Sequence, residues 1–266
     1  MGRKDMATMS IGKAWEEAVA FVQRESSLLF PVALLFIALP SIILGEMTPP
    51  ELTAWAASQP RGALPPIPAT YVLAMLLTAV LIWFGSLALF ALALRPGISV
   101  GEALRLSLAR LPVLIGTSFL AGGAIALAML LLALVGMVIA AASPALLAPL
   151  LAAAMVGGLA FVGVRLVLLN PVVIDGQDGV VASLKRSWRL TKGHFWHLFG
   201  LIAVLTLLSL VASTAAQAVF GILGRVLVGA DGARLIGGVV AAAVSTVVQV
   251  YMLVMLARLY RQAVAG

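Results

Sequence analysis

No cysteine occurs in the 266 residues. Disulfides, thiolate metal ligation and a cysteine nucleophile are therefore excluded, and the redox compartment is left open. Charge is scarce: Asp, Glu, Lys and Arg make up 10% of the chain, against about 25% in soluble domains. Acidic residues number only 10, and all fall in loops or interfacial helices, outside the long apolar runs. Paired carboxylates inside a span are thus missing, as are the HExxH, GxSxG and P-loop patterns. Chemistry inside a membrane needs buried acids, a nucleophile with its base, or metal ligands. The expectation is a non-enzymatic protein with no catalytic, cofactor or metal residue. The two histidines, His194 and His197, stand three apart without a third ligand nearby and suit an interfacial belt beside Phe195 and Trp196.

What the chain has in excess is apolar surface: 63% of it is hydrophobic, with mean hydropathy +1.15. A soluble fold could not hide this much, so the expected class is an all-α, polytopic membrane helix bundle forming a single membrane domain over 1–266. A span needs about 20 residues to cross a hydrocarbon core of about 30 Å. Six runs qualify, near 27–45, 70–94, 113–140, 146–169, 195–222 and 235–258. Pro40 should kink the first or end it early. Ser143, Pro144 and Pro149 mark the turn between the third and fourth, and the proline-rich 46–69 forms a loop with one short helix near Glu51–Ala57. Charged residues lie between Arg3 and the first apolar run, so the N-terminus reads as an uncleaved anchor rather than a signal peptide.

Three amphipathic helices precede pairs of spans. Ser10-Ile11-Gly12-Lys13-Ala14-Trp15 aligns with Ser99-Val100-Gly101-Glu102-Ala103-Leu104 and with Gly179-Val180-Val181-Ala182-Ser183-Leu184, at offsets of 89 and 80 residues. Ser10 can cap the first helix, and Ser99 with Glu102 forms a capping box on the second. The reading is a threefold repeat of about 10–94, 99–169 and 178–260. Two spans per unit return the chain to its starting side, so all three amphipathic helices and both termini share one face. Of the 17 Lys and Arg, only Arg61, Arg225 and Arg234 fall on the other face, leaving fourteen here. That bias makes this face cytoplasmic.

The densest basic stretch is 178–196, DGVVASLKRSWRLTKGHFW. As a helix, with Asp178 as N-cap and Gly193 as stop, it places Val180, Leu184, Trp188 and Thr191 on one stripe. Lys185, Arg189 and Lys192 lie beside the stripe and Arg186 further round. A basic face with a Trp-bearing apolar face is the pattern of a helix lying on a membrane. Lys185, Arg186, Trp188, Arg189 and Lys192 are the candidate contacts for anionic lipid headgroups or a membrane-protein partner; the alternative is a purely topological anchor. Nucleic acid is not an expected partner. Arg165 and Arg258 are ionisable groups inside spans, candidates for function or for snorkelling, with Asp175 or Asp178 as possible partners of Arg165. Gly122, Gly123, Gly157, Gly158 and Gly163, with Ala153 and Ala154, read as helix-packing positions, the alternative being a substrate path. Thr206, Ser209 and Ser213 on the fifth span and Ser245, Thr246 and Gln249 on the sixth form a candidate polar seam. Thr206 and Thr246 lie at similar depth, roughly 16–18 Å from the basic face. These groups either bond the two spans together or line a cavity.

The run Gly179–Gly193, the ending Leu256-Ala257-Arg258-Leu259-Tyr260 and Asn170-Pro171-Val172-Val173 resemble motifs of bacterial six-span inner-membrane proteins. These are related to the membrane domain of glycerophosphoryl diester phosphodiesterase, including the YciC-like proteins. The resemblance implies the six-span fold and an inner-membrane location. It does not carry over phosphodiesterase activity, because the chain has neither room for the catalytic barrel nor its acidic motifs. The expected function is a lipid-associated membrane scaffold or accessory factor; the alternative is a small-molecule or lipid transporter.

Overall fold

The computed structural model describes residues 10–57, 65–142 and 144–265, with side-chain surroundings for all of these but 137–150 and 230–231. Arg3, Lys4, Arg61 and the turn residue Ser143 lie outside the described residues. Among the described residues all regular structure is helical: α1 (Ile11–Ala33), a π-helical turn (Leu34–Ala38), α2 (Leu39–Glu46), α3 (Pro50–Ala57), α4 (Ala69–Leu94), α5 (Val100–Ala142), α6 (Pro144–Leu166), α7 (Leu169–Asp175), α8 (Val180–Leu190), α9 (Phe195–Val228) and α10 (Ala230–Ala265). Six stretches are long and apolar enough to cross a membrane, beginning at Ile11, Ala69, Val100, Leu151, Phe195 and Gly232.

The amphipathic segments differ from expectation in how they join their spans. The first two run directly into them. α1 bends at Glu25 (φ −104°, ψ 18°), and α5 continues through Pro112. Only the third is cut off, by Gly193 at φ +89°, a left-handed conformation that glycine adopts at no steric cost. All three junctions nevertheless fall within two residues of one another when the units are aligned. Pro40 does not end the first span either. The helix widens into the π turn just before it, which accommodates a ring and a missing N–H without a break.

Capping follows the side chains. Ser10 Oγ accepts from Lys13 N at 3.3 Å. Ser99 Oγ accepts from Glu102 N at 3.2 Å, while Glu102 Oε2 accepts from Ser99 N at 2.9 Å, which completes the capping box. The two ends of the bundle are tied separately. Ser10 N donates to Gln262 Oε1 (2.9 Å), joining the start of α1 to the end of α10. Arg234 Nη2 lies 2.9 Å from Glu46 Oε2, joining the start of α10 to the end of α2. The start of α1 and the end of α10 therefore share a face.

The core lies toward that face. It is built from Ala14, Ala18 and Val22 of α1, the unbroken run Leu87–Ala93 of α4, Val172–Ile174 of α7 and Leu253–Ala257 of α10. In the hydrocarbon, apolar helix faces gain little over lipid by meeting one another. At the aqueous edge the amphipathic helices do gain, because their apolar sides leave water. Burial of the most apolar window reflects this: 33% for the first, second and sixth spans, but 6% for the third and 11% for the fourth. The α5–α6 pair is thus peripheral.

The glycine expectation needs correcting. A Cβ placed on Gly122, Gly123, Gly157, Gly158 or Gly163 would meet nothing within 4 Å, so no helix packs against them. The close approaches are elsewhere. A Cβ on Gly232 would sit 2.6 Å from Gly224 O, and one on Gly237 3.0 Å from Gln217 O, so glycine is required where α9 and α10 cross.

Candidate functional site

The three motif segments noted in the sequence meet in space. Asn170 Nδ2 donates to Ser86 Oγ at 3.3 Å, tying the start of α7 to α4. At the end of α7, Asp175 Oδ2 accepts from the Tyr260 hydroxyl of α10 at 2.8 Å. Arg186 of α8 donates from Nη2 to that same hydroxyl (3.2 Å) and from Nη1 to Asp178 Oδ2 (3.3 Å). Tyr260 is 1% exposed, so its two hydrogen bonds are made where water cannot replace them. This clasp fixes α8 against the bundle.

Two expectations change here. Asp178 is not the N-cap: Gly179 holds that position without a side-chain bond, and the Asp178 carboxylate turns to Arg186. Arg186 in turn points inward to the clasp rather than out to a headgroup, which removes it from the candidate surface contacts.

The inward stripe of α8 also differs from the one read off the helical wheel. Ser183, Ser187 and Thr191 are all 0% exposed, whereas Trp188 is 40% exposed and Val180 and Leu184 are only partly covered. The hydroxyls explain the choice for Ser187 and Thr191, while the Ser183 hydroxyl is buried without a partner. Ser187 Oγ (3.1 Å) and Thr191 Oγ1 (3.2 Å) both donate to the carbonyl of Arg165, one residue before the end of α6. Carbonyls at a helix C-terminus have no following turn to bond them, so α8 serves as a cap for α6. Small residues at the aligned positions of the other two units, Ala14 and Ala18, and Ala103 and Ser107, are likewise 0% exposed. That correspondence was the signal available in the sequence. Apolar periodicity alone passes over it because serine does not count as apolar. Gly116 adds to the seat: a Cβ there would come 2.8 Å from Val180 Cγ2, so glycine lets the start of α8 settle on α5.

The Arg165 side chain lies between two rings, its guanidinium carbon 5.2 Å from the Phe161 centroid and 5.3 Å from that of Trp188. Its Nε and Nη1 are buried without hydrogen-bond partners. It pairs with neither Asp175 nor Asp178; aromatic faces hold its charge instead. Phe161 also packs on Phe195 (5.4 Å), which stacks on Phe199 (5.9 Å), so this corner is an aromatic belt. His194 borders it with Nδ1 buried and unpartnered, and His197 is exposed. Arg258 has a similar seat, 4.7 Å over the Phe21 ring.

What remains free on α8 and the turn after it is Lys185, Arg189 and Lys192, all exposed, with no carboxylate within ion-pair distance among the described residues. Lys185, Arg189 and Trp188 border one pocket together with Asp178 and Ala182.

The polar seam of α9 and α10 forms with a shifted register. Ser209 and Ser245 hydroxyls lie 3.4 Å apart. Thr246 is turned away, donating to Ala242 O at 2.7 Å, so the Thr206–Thr246 pairing does not form. Thr206, Ser209, Ser213, Ser245 and Gln249 line a groove of about 330 Å³. The seam therefore makes one cross-helix contact and leaves an open, mainly apolar groove edged by these polar groups. Among the described residues no group of three or more His, Asp or Glu could hold a metal.

No curated protein and no solved structure matches this chain. A family model does match, over residues 9–263, so the six-helix unit with its clasped basic helix belongs to the family described as a domain of unknown function, DUF7847.

Proposed function

We propose that this is a non-enzymatic, lipid-associated scaffold or accessory protein of a bacterial inner membrane, with both termini and the three amphipathic helices in the cytoplasm. One observation carries the reading. The clasp and the serine seat hold α8 rigid while Lys185, Arg189 and Lys192 stay exposed and unpaired beside Trp188. A fixed cationic face next to an interfacial tryptophan suits anionic headgroups. The bias of Lys and Arg toward this face supports the cytoplasmic assignment. The motif resemblance supports the inner-membrane location.

The test is lipid enrichment around the full chain. The protein is extracted with its lipid shell into polymer-bounded discs, and the ratio of anionic to zwitterionic lipid is measured against the parent membrane. Each basic residue near an anionic surface contributes about 1 kcal/mol, screened by salt. Replacing Lys185, Arg189 and Lys192 together with Gln should therefore abolish most of the enrichment. An unchanged ratio would leave charge at α8 with a topological role only.

A second reading, a small-molecule or lipid transporter, draws on the groove of about 330 Å³ between α9 and α10, with its five polar side chains. Transporter sites at the midplane are usually built from broken helices. Here α9 and α10 run unbroken past Ser209 and Ser245, so the scaffold reading is preferred.

A further inference from the structure

The peripheral α5–α6 pair is separated by a groove of about 400 Å³, walled by Leu120, Ala124, Ala128 and Leu132 on α5 and by Ala154 and Gly158 on α6. Its floor on the side of the amphipathic helices is Leu184 and Trp188 of α8. The walls are apolar, with small residues at Ala124, Ala128, Ala154 and Gly158, and a Cβ on Gly158 would meet nothing within 4 Å. From Leu120 to Leu132 an α-helix rises about 18 Å, close to the roughly 15 Å of hydrocarbon in one leaflet. The groove therefore runs the depth of a single leaflet and ends at the aqueous edge.

The same Trp188 that closes the apolar groove also borders the basic pocket of Lys185 and Arg189. Asp178, the one carboxylate in that pocket, is already bonded to Arg186. Arg165 lies against the inner face of the same indole with no carboxylate partner. An apolar slot one leaflet long, opening beside uncompensated positive charge, is complementary to one kind of molecule: an amphiphile with a long chain and an anionic head.

We infer that the α5–α6 groove seats one acyl chain of a single anionic phospholipid, whose phosphate is held by Lys185 and Arg189 across Trp188. This rests on the anionic-lipid reading above but adds a discrete site and a stoichiometry. A polar or partner-helix occupant suits the slot less well, because the slot offers the first no hydrogen-bonding lining. Its volume of about 400 Å³ spread over a depth of about 18 Å is also too small in cross-section for a helix about 10 Å across with its side chains.

The test uses the full chain purified in mild detergent, supplied with phosphatidylglycerol or phosphatidylcholine of matched chains, and native mass spectrometry of the intact protein. The wild type should retain one phosphatidylglycerol per chain, with occupancy about tenfold above phosphatidylcholine. Gly158→Leu fills the slot without a backbone clash and should lower occupancy by about tenfold. Gly123→Leu, equally open but outside the groove, is the control for folding and should bind as the wild type does. Lys185→Gln with Arg189→Gln should erase the preference for phosphatidylglycerol. Retention unchanged in Gly158→Leu overturns the groove site and leaves the basic-face reading standing. Equal retention of the two lipids by the wild type overturns both. A lipid-free dimer that Gly158→Leu dissociates would assign the groove to a second copy of the chain and would also overturn the inference.

Discussion

Tyr260 shows how a single residue can carry the position of an element. Its ring is buried among α1, α7 and α10, and its hydroxyl is the only polar bridge between Asp175 and Arg186 among the described residues. Removing that oxygen while keeping the ring leaves packing intact but deprives a carboxylate and a guanidinium of one bond each. Bonds to charged groups are worth about 1.5–3 kcal/mol, reduced here because Arg186 is partly exposed and Asp175 is exposed. Tyr260→Phe should therefore lower stability by about 1–3 kcal/mol in SDS titration of the micelle-bound protein. Stability equal to the wild type would mean that α8 is held by its serine stripe alone. Tyr260 was legible in the sequence only as part of a motif. Its partners, 74 and 85 positions away, were not.

At the scale of elements, the pairing of α9 with α10 is set by glycines at the crossing and by a single hydroxyl contact deeper in the bundle. Gly224, Gly232 and Gly237 bring the backbones together near the loop, and this fixes the register of everything below. That register joins Ser209 to Ser245 and turns Thr246 onto its own helix. Depth counting from the helix ends treats both helices as straight and parallel to the membrane normal, and it cannot see the crossing. Cysteines at Ser209 and Ser245 should crosslink under mild oxidation, because the hydroxyls they replace lie only 3.4 Å apart. Cysteines at Thr206 and Thr246 should not. The reverse pattern would restore the register expected from depth alone.

For the whole molecule, the distribution of basic residues and the parity of spans predict topology. Ser183 is unsuitable as a reporter, since it is fully buried and would resist labelling in any orientation. Ala182 and Glu51 are exposed and lie on opposite faces. With an impermeant thiol reagent, a cysteine at Glu51 should label in intact cells, and one at Ala182 only after permeabilisation. Labelling at Ala182 in intact cells would invert the model. The contacts between Ser10 and Gln262 on one face, and between Glu46 and Arg234 on the other, agree with the parity whichever compartment each face meets.

The all-helical class, the six spans, the capping box and the free basic residues of α8 followed from the sequence by itself. Each depends on composition or on spacing within one helix, where hydrophobic length, local hydrogen bonds and charge act without reference to distant residues. What only the tertiary structure decided are the relations between segments. Arg186 turns inward because Tyr260 and Asp178 are there to receive it, and Ser187 and Thr191 face the bundle because the end of α6 needs donors. Gly158 of α6 borders a groove instead of a neighbouring helix because the α5–α6 pair stands at the periphery, where lipid is as good a solvent for an apolar face as another helix. Hydropathy cannot tell those two surroundings apart, so the sequence marked this residue as small and left its neighbours to the fold.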